Sequence, residues 1–393
     1  MHHMKISLIN LLEQYENSIL SLADYDEIWF FGDISTSFSQ RASVIANKLD
    51  NFNGVVVTSI SKEKRVRISN QIGGYGYWSF IDFDNLITRS KRKKVLLVDF
   101  NDMQSGSMFR EYFRLNGVDV CDYLRCMNDL SVVHTYLPVN QERDYFINHL
   151  DDFLQLVNEL PDQLSKDTVI ARIKAFFTLD RRWLMGVSQG HRHFTRNKVS
   201  QNELIISDNE TYIDVGAAHG DTVSKFFDVT RGLYKEIHAF EPDSVNYKGL
   251  SRLCEVIPNC NCYHAGLSDE NGEMVFHETP ENRFGSRFVT ETSPQAEEVT
   301  KVKILRLDDV VDSATLIKID VEGFEVNVLK GSKRIIEEYA PSMHIAGYHY
   351  PNDLISIIDA VKKIRNYKNI AIRHCDGTIY DTNILFSNHQ NFV

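Results

Sequence analysis

The sequence predicts an α/β protein of two sheet-based domains joined by a helical connector, and three observations carry that prediction. Short β-branched runs recur at helix-length intervals in both halves of the chain, the spacing of strand-helix-strand units in a parallel sheet. Between the halves, residues 141 to 184 lose the strand pattern and place apolar side chains at three- and four-residue intervals. Residues 211 to 222, TYIDVGAAHGDT, read as a strand, a tight glycine turn and a helix N-terminus, and the second half is organised around them. The expected domains are 1–140, a helical connector at 141–200, and 201–393.

In the first domain, residues 5 to 23 set Ile6, Ile9, Leu12, Ile19 and Leu22 near one helical face, and Glu27 to Phe31 form a strand ending at Gly32. Val55 to Val57, Val95 to Val98 and Val118 to Val120 supply further strands. The turn after Gly32, Asp33-Ile34-Ser35, has one glycine and no phosphate-cradling series. Scaffolding or partner docking is therefore expected of this domain ahead of nucleotide binding. In the connector, Phe146, Leu150, Phe153, Leu154, Val157 and Leu160 build an apolar face that Pro161 interrupts, before a second helix near Thr168 to Phe177. His191 and His193 alternate as chelating residues can, but no carboxylate or cysteine stands at ligand spacing, so no metal is expected there.

In the second domain, Gly216 and Gly220 allow positive φ and close approach of a ligand, while the helix start offers unpaired N–H groups. The next strand, Ile237 to Phe240, ends in Glu241-Pro242-Asp243, where a carboxylate can accept both hydroxyls of a ribose. An adenosine-containing ligand is expected. A dinucleotide would call for G-x-G-x-x-G, and the middle position here is Ala218. S-adenosylmethionine has no pyrophosphate, and its zwitterionic end suits Asp214 plus backbone donors. A packing turn with no ligand is the plainer alternative. The candidate cofactor-binding residues are Asp214, Gly216, Ala217, His219, Gly220, Asp221 and Thr222, with Glu241 and Pro242 from the second strand end.

Tyr247 to Val256 reads as a helix and Cys260 to Ala265 as a third strand, leading into the 266–272 turn. Its Ser268 and Asp269 join the cofactor candidates: Asp269 either accepts from an adenine amino group or caps an Asx turn. Glu273 to His277 and Val299 to Leu305 form a β pair around Arg283-Phe284-Gly285-Ser286-Arg287, whose arginines either face an anionic group or are solvated. Leu316 to Ile319 is a buried strand that delivers Asp320 and Glu322 to the carboxyl edge of the sheet, where ligands bind. Ser342 to Ala346 is a fifth strand ending at Gly347-Tyr348-His349-Tyr350, and Ile370 to Arg373 pairs antiparallel with Ile379 to Phe386.

Asp320, Glu322 and His349, two carboxylates and an imidazole at neighbouring strand edges, are expected to converge on one crevice and are the candidate catalytic residues. Asp320 is expected against the methionine moiety of a methyl donor or against the acceptor, with Glu322 or His349 as the base. Glu322 reads equally well as a helix cap and His349 as a half-buried structural histidine. All three are hard-ion ligand types, which leaves metal dependence open.

Composition narrows the classes. A chain of 393 residues, 43% hydrophobic and 25% charged, is long enough for two cored domains. Its net charge of −11 argues against a broad nucleic-acid surface, and the run Arg89 to Lys94 reads as a solvated loop. The six cysteines show no C-x-x-C spacing and are expected to be reduced. No stretch of 18 apolar residues occurs, and ISLINLLEQYENSIL is amphipathic, so a cytoplasmic protein without a transmembrane segment is expected. No nucleic-acid partner is expected, with homo-oligomers or docking through the first domain left open.

IDVGAAHGDTV at 213–223, HAFEPD at 238–243, AGLSDENG at 265–272, LIKIDVEGFEVNVLKG at 316–331 and GYHYPNDL at 347–354 together resemble the FkbM family of S-adenosylmethionine-dependent methyltransferases. The resemblance covers about residues 200 to 390, and the first domain resembles the Rossmann-like extension of some longer members. It implies a class I methyltransferase seven-stranded Rossmann-like sheet, a small-molecule or glycan acceptor as partner, and O-methylation, commonly of sugar hydroxyls in surface polysaccharides or hydroxyls of secondary metabolites. His219 departs from the Asn or Asp frequent in that cradle. Two other classes stay open. One is a non-catalytic cofactor-binding or interaction module in a glycan or antibiotic assembly system. The other is an NAD-dependent nucleotide-sugar enzyme using both Rossmann-like units.

Overall fold

The computed structural model describes residues 2–18, 21–32, 36–57, 77–79, 83–84, 92–99, 103–133, 137–190, 193–277, 287–288, 299–375 and 377–392. The 33–35 turn, residues 89–91 of the basic run, His191, Arg192 and the 283–286 loop lie outside the described residues. The chain divides into two compact units. One comprises residues 1–155, 169–188 and 376–379, and the other 156–168, 189–375 and 380–393.

The first unit holds a parallel sheet of β1 (Glu27–Gly32), β2 (Phe52–Val57), β3 (Tyr77–Ser79), β4 (Lys94–Asp99) and β5 (Asp119–Asp122), in the order β3-β2-β1-β4-β5. β1 and β4 are buried along their whole length, as strands covered on both faces must be, which is why they read as unbroken apolar runs. Trp29, Phe31, Val56, Leu96 and Val98 pack with Phe83 and Phe113 as this unit's core. At the sheet's carboxyl edge Arg181 Nε donates to both Asp122 oxygens at 3.1 and 3.0 Å, and Arg110 donates to the same carboxylate at 2.8 Å. The buried charges are thus paired, the condition for keeping them out of water.

Glu142, on the helix Val139–Asn148, is the exception worth testing. Burial pushes its carboxyl up to about 8, and Arg172 opposes that only in part. Because the folded value lies above the ordinary 4.5, the stability tied to this proton is complete below 4.5 and is lost as pH rises through about 8. Glu142→Gln removes the ionisable group. It is expected to stabilise the protein by about 2–4 kcal/mol at pH 8 and by almost nothing at pH 4.5, since each pKa unit is worth about 1.4 kcal/mol. Urea unfolding of both proteins at the two pH values reads the difference, and an equal effect at each pH refutes the assignment.

The second unit is built on β6 (Thr211–Val215), β7 (Glu236–Phe240), β8 (Cys260–Tyr263), β9 (Gly266–Leu267), β10 (Gly272–His277), β11 (Arg287–Phe288), β12 (Val299–Leu305), β13 (Leu316–Ile319), β14 (Ser342–Ala346), β15 (Asn369–Cys375) and β16 (Thr382–Ser387). Seven of them form the main sheet in the order β8-β7-β6-β13-β14-β16-β15, beyond which one two-residue strand adds an edge. The pairs from β8 to β14 are parallel, and β16 runs antiparallel to both neighbours, as the terminal hairpin reading anticipates. β9, β12, β10 and β11 make a separate four-stranded sheet. Tyr212, Ile237, Ala239, Leu250, Phe226 and Leu316 are among the core side chains.

Register explains where a site must lie. Phe240 and Ile319 both pair with Val215, and Ile319 pairs with Ile345, so the strands end on one line. The next residues, Gly216, Glu241 and Asp320, therefore emerge side by side at the carboxyl edge. Strand order reverses direction at β6, which is where open α/β sheets leave a crevice.

Within the 141–200 stretch, residues through 155 and 169–188 group with the first unit and 156–168 and 189–200 with the second. One expectation changes, because the cysteines are not all reduced: the short turn from helix Ser244–Cys254 to β8 leaves the Cα atoms of Cys254 and Cys260 5.1 Å apart, and the two are joined as a disulfide. Cys121, Cys126, Cys262 and Cys375 remain free. No helix among the described residues is long and apolar enough to cross a membrane.

Candidate active site

A cavity of about 200 Å³ opens at the carboxyl edge of the main sheet of the second unit. Its floor is Val215, Gly216 and Ala218, its sides include Phe240, Glu241, Pro242, Leu267 and Phe276, and Asp320, Glu322 and Tyr348 stand at one end.

The glycine turn makes the floor. Gly216 sits at φ +76°, and a Cβ there would lie 1.9 Å from the Asp320 carbonyl oxygen, so only glycine lets the two strand ends meet. The Gly216 and Ala217 N–H groups donate to the Phe240 carbonyl at 3.1 and 3.0 Å, which sews β6 to β7. Ala218, itself at φ +47°, donates its N–H to Glu241 Oε2 at 2.8 Å, and Asp243 N–H donates to Glu241 Oε1 at 2.8 Å. Both carboxylate oxygens are thus fixed by backbone, and Glu241 reaches the cavity wall in a single orientation. Burial pushes its carboxyl up to about 7, against the pull of those two N–H groups.

Other cradle residues stand elsewhere. Asp214 is fully buried behind the cavity: Thr222 Oγ1 donates to it and Lys318 Nζ lies 3.3 Å away, while the same ammonium donates to the Gly216 carbonyl at 2.7 Å. Burial pushes the Asp214 carboxyl up, and Lys318 and Thr222 oppose it. Asp214 therefore fastens the turn from below, and it is not among the residues that line the cavity. Ala217 and Thr222 are also buried, Gly220 at φ +89° caps the helix Asp221–Thr230, and His219 and Asp221 are exposed outside the lining. Ser268 is buried, and Asp269 accepts from Ser268 Oγ and Asn327 Nδ2 outside the lining as well. Of the cofactor candidates, Gly216, Glu241, Pro242 and Asp320 line the cavity.

The catalytic candidates come together. Asp320 follows β13 directly; Tyr348 Oη donates to its two oxygens at 3.4 Å, and His349 Nε2 lies 3.4 Å from Oδ1. Burial works to raise this carboxyl, but His349 and Lys318 outweigh it and hold Asp320 well below the usual range. Glu322 adopts φ +58°, unusual for a residue with a side chain, and its carboxylate lies 3.6 Å from His349 Nε2. Burial pushes the Glu322 carboxyl up to about 7, the His349 charge pulling it down and the Glu325 charge pushing it up.

The His349 side chain itself has no exposure. Burial disfavours its charge, yet Glu325, 3.0 Å from Nδ1, together with Asp320 raises it well above an ordinary histidine. The imidazole faces carboxylates on both nitrogens, which favours its protonated form. Asp320, Glu325 and His349 also bring ligand atoms within 4.8 Å of one another, as a metal site would. Here the two carboxylates address opposite ring nitrogens, an arrangement that suits two ion pairs better than one shared ion.

Sequence reasoning missed Asn246, Phe276 and Tyr348 in the lining. Tyr348 alone had a signal, since it neighbours His349 at the end of β14; the other two come from a helix flank and from the smaller sheet.

Residues 214–370 match the family described as the Methyltransferase FkbM domain. That stretch of the chain is an FkbM methyltransferase domain. The fold of the whole chain is similar to the crystal structure of Methyltransferase FkbM from Methylobacillus flagellatus KT, with a TM-score of 0.74 at 19% identity over 98% of this chain and 99% of that one. An rRNA methylase from Streptococcus thermophilus (15% identity, 46% and 86% coverage) and a precorrin-6y C5,15-methyltransferase from Geobacter metallireducens GS-15 (9%, 46% and 80%) align with TM-scores of 0.29. Those two are too distant in shape to carry an argument. No curated protein matches the chain in sequence.

The FkbM domain uses S-adenosylmethionine as methyl donor. Its cavity suits that cofactor by three features: a bare backbone floor at Gly216, where the Asp320 carbonyl leaves no room for a Cβ, a backbone-fixed carboxylate at Glu241, and an anionic end at Asp320. The extended chain before it carries the separate five-stranded unit described above.

Proposed function

We propose that this methyltransferase acts on a hydroxyl oxygen of a saccharide, in a glycan precursor or a surface polysaccharide, with Glu322 as general base. The observation that supports this most is Glu322 itself, a carboxylate in the cavity wall that burial brings to about 7, where it can accept a proton near neutral pH. A neutral hydroxyl is a weak nucleophile and needs that assistance. The described lining contains no lysine, arginine or histidine, so the reacting end of the acceptor is uncharged or cationic, while Asn246, Tyr348 and the carboxylates offer hydrogen bonds to a polyol.

S-adenosylmethionine, when bound, supplies an electrophilic methyl group on a sulfonium sulfur. Glu241 is assigned to the ribose hydroxyls, Gly216 and Ala218 to the close backbone wall, and Phe240, Leu267 and Phe276 to the apolar sides that keep water out. Asp320, held anionic, faces the cationic end of the donor. Glu322 takes the acceptor proton at its carboxylate as the new C–O bond forms, and His349 holds the two carboxylates in place from behind without touching the acceptor.

The test is transfer of isotope-labelled methyl from S-adenosylmethionine to a panel of free, nucleotide-linked, lipid-linked and polymeric saccharides, with an amine and a carboxylic acid as controls. Label recovered as a base-stable methyl ether on a sugar oxygen is the expected result. Transfer confined to the amine or the acid overturns the reading.

A further inference from the structure

Glu325, on the helix after Glu322, is held by several partners at once. Its side chain is almost wholly buried, and one oxygen, Oε1, accepts the Val321 N–H at 3.1 Å and the Gly323 N–H at 3.3 Å and lies 3.0 Å from His349 Nδ1. Those two N–H groups bracket Glu322. Glu322 and Gly323 are both left-handed, at φ +58° and +95°, and a Cβ on residue 323 would meet the Tyr350 ring at 2.4 Å. Backbone N–H groups that converge in a tight turn make a concavity that binds an anion, and here those of Val321 and Gly323 do so. In this chain the anion is a side chain from the next helix.

We propose that Glu325 is the positioning residue of the active site: its one oxygen ties the turn that carries Glu322 to the ring of His349, and so aims Nε2 at Asp320 and Glu322. The inference rests on the reading of Glu322 as base, and it adds what sets that base in place. The groups facing His349 are Asp320 and Glu322 on the Nε2 side and Glu325 on the Nδ1 side, with Tyr348 as chain neighbour; Asp353, on the helix that follows, lies near enough to act on His349 and Glu325 by charge. Remove the Glu325 charge and His349 keeps carboxylates on one nitrogen only. Its ring is then free to rotate or lose its proton, and Glu322 loses the fixed cation beside it.

The experiment compares Glu325→Gln with Glu325→Asp in the full-length protein. Gln keeps the size and the oxygen that accepts from Val321 and Gly323, so the turn survives and the charge is lost; Asp keeps the charge. The first readout needs no substrate: nitrogen NMR of His349 across pH 5 to 9 reports its protonation directly. Wild type is expected to hold the doubly protonated ring through neutrality. Glu325→Gln is expected to titrate about one to three pH units lower, and Glu325→Asp to restore at least half of that shift. The second readout is kinetic: Glu325→Gln lowers kcat about tenfold or more, with KM for the donor and acceptor within about threefold.

A His349 titration in Glu325→Gln that coincides with wild type overturns the proposal, and so does a loss that falls on KM alone. If Gln does not fold, a wild-type His349 titration with full kcat in Glu325→Asp supports it, and a shifted titration with full kcat overturns it. Failure of the base assignment is separately visible, because Glu322→Gln would then keep its turnover while the NMR result stands or falls on its own.

Discussion

Glu322→Gln is expected to lower kcat by about 10²- to 10⁴-fold, the contribution typical of a general base, while leaving donor affinity within about threefold. The substitution keeps shape and hydrogen-bonding capacity and removes only the ability to accept a proton, so the loss should fall on kcat and kcat/KM alike. Turnover within about threefold of wild type removes Glu322 as the essential base. The pH profile gives an independent check. Only the carboxylate accepts a proton, so wild-type kcat/KM should rise with pH through about 7 and level off above it. Stability runs the other way. The folded carboxyl lies above its ordinary 4.5, so its contribution is complete below 4.5 and is lost as pH rises through about 7. Between these values the enzyme gains activity as it gives up a little stability, and Glu322→Gln should flatten both slopes.

Gly216→Ala is expected to abolish detectable binding of S-adenosylhomocysteine and to destabilise the protein by about 2–4 kcal/mol, the range of steric and backbone strain at a special φ. The new Cβ would lie 1.9 Å from a backbone carbonyl, and that carbonyl cannot step aside cheaply. Its residue is pinned by the Asp320 N–H donating to the Val215 carbonyl at 3.1 Å, and Lys318 Nζ holds the Gly216 carbonyl at 2.7 Å. Either β6 and β13 separate, which opens the floor of the cavity, or the turn leaves φ +76° and withdraws the Ala218 N–H from Glu241. Both routes damage the same cradle. Thermal unfolding and calorimetric titration of the variant read the two effects, and a stable variant with wild-type affinity sinks this account of the floor.

Much of this architecture is legible in the sequence where a local rule decides it. Apolar runs of aromatic and aliphatic residues, buried along the strand, announce β1, β4 and β13, and a strand ending in glycine ahead of a helix start announces the cradle. Glu241 and Asp320 follow from the same rule, since the residue after a parallel strand faces the crevice. The inward turn of Asp214 is harder to read: it depends on a lysine on the neighbouring strand, Lys318, and pairing between strands far apart in sequence cannot be seen from either strand alone. His349 illustrates the same limit, because whether it touches ligand or lies behind other residues depends on Glu325 folding back from the next helix. Phe276 and Asn246 reach the cavity from a second sheet and a helix flank, with no motif to mark them. The Cys254–Cys260 link has no spacing signature either, and it depends on how tightly one helix turns into one strand.

The left-handed backbone at Glu322 carries a cost of order 1–3 kcal/mol that a glycine in its place would relieve. A search for hardier versions of this protein, guided by unfolding alone, would therefore drift toward glycine at 322 and discard the proton acceptor. At that one residue durability and turnover are selected in opposite directions.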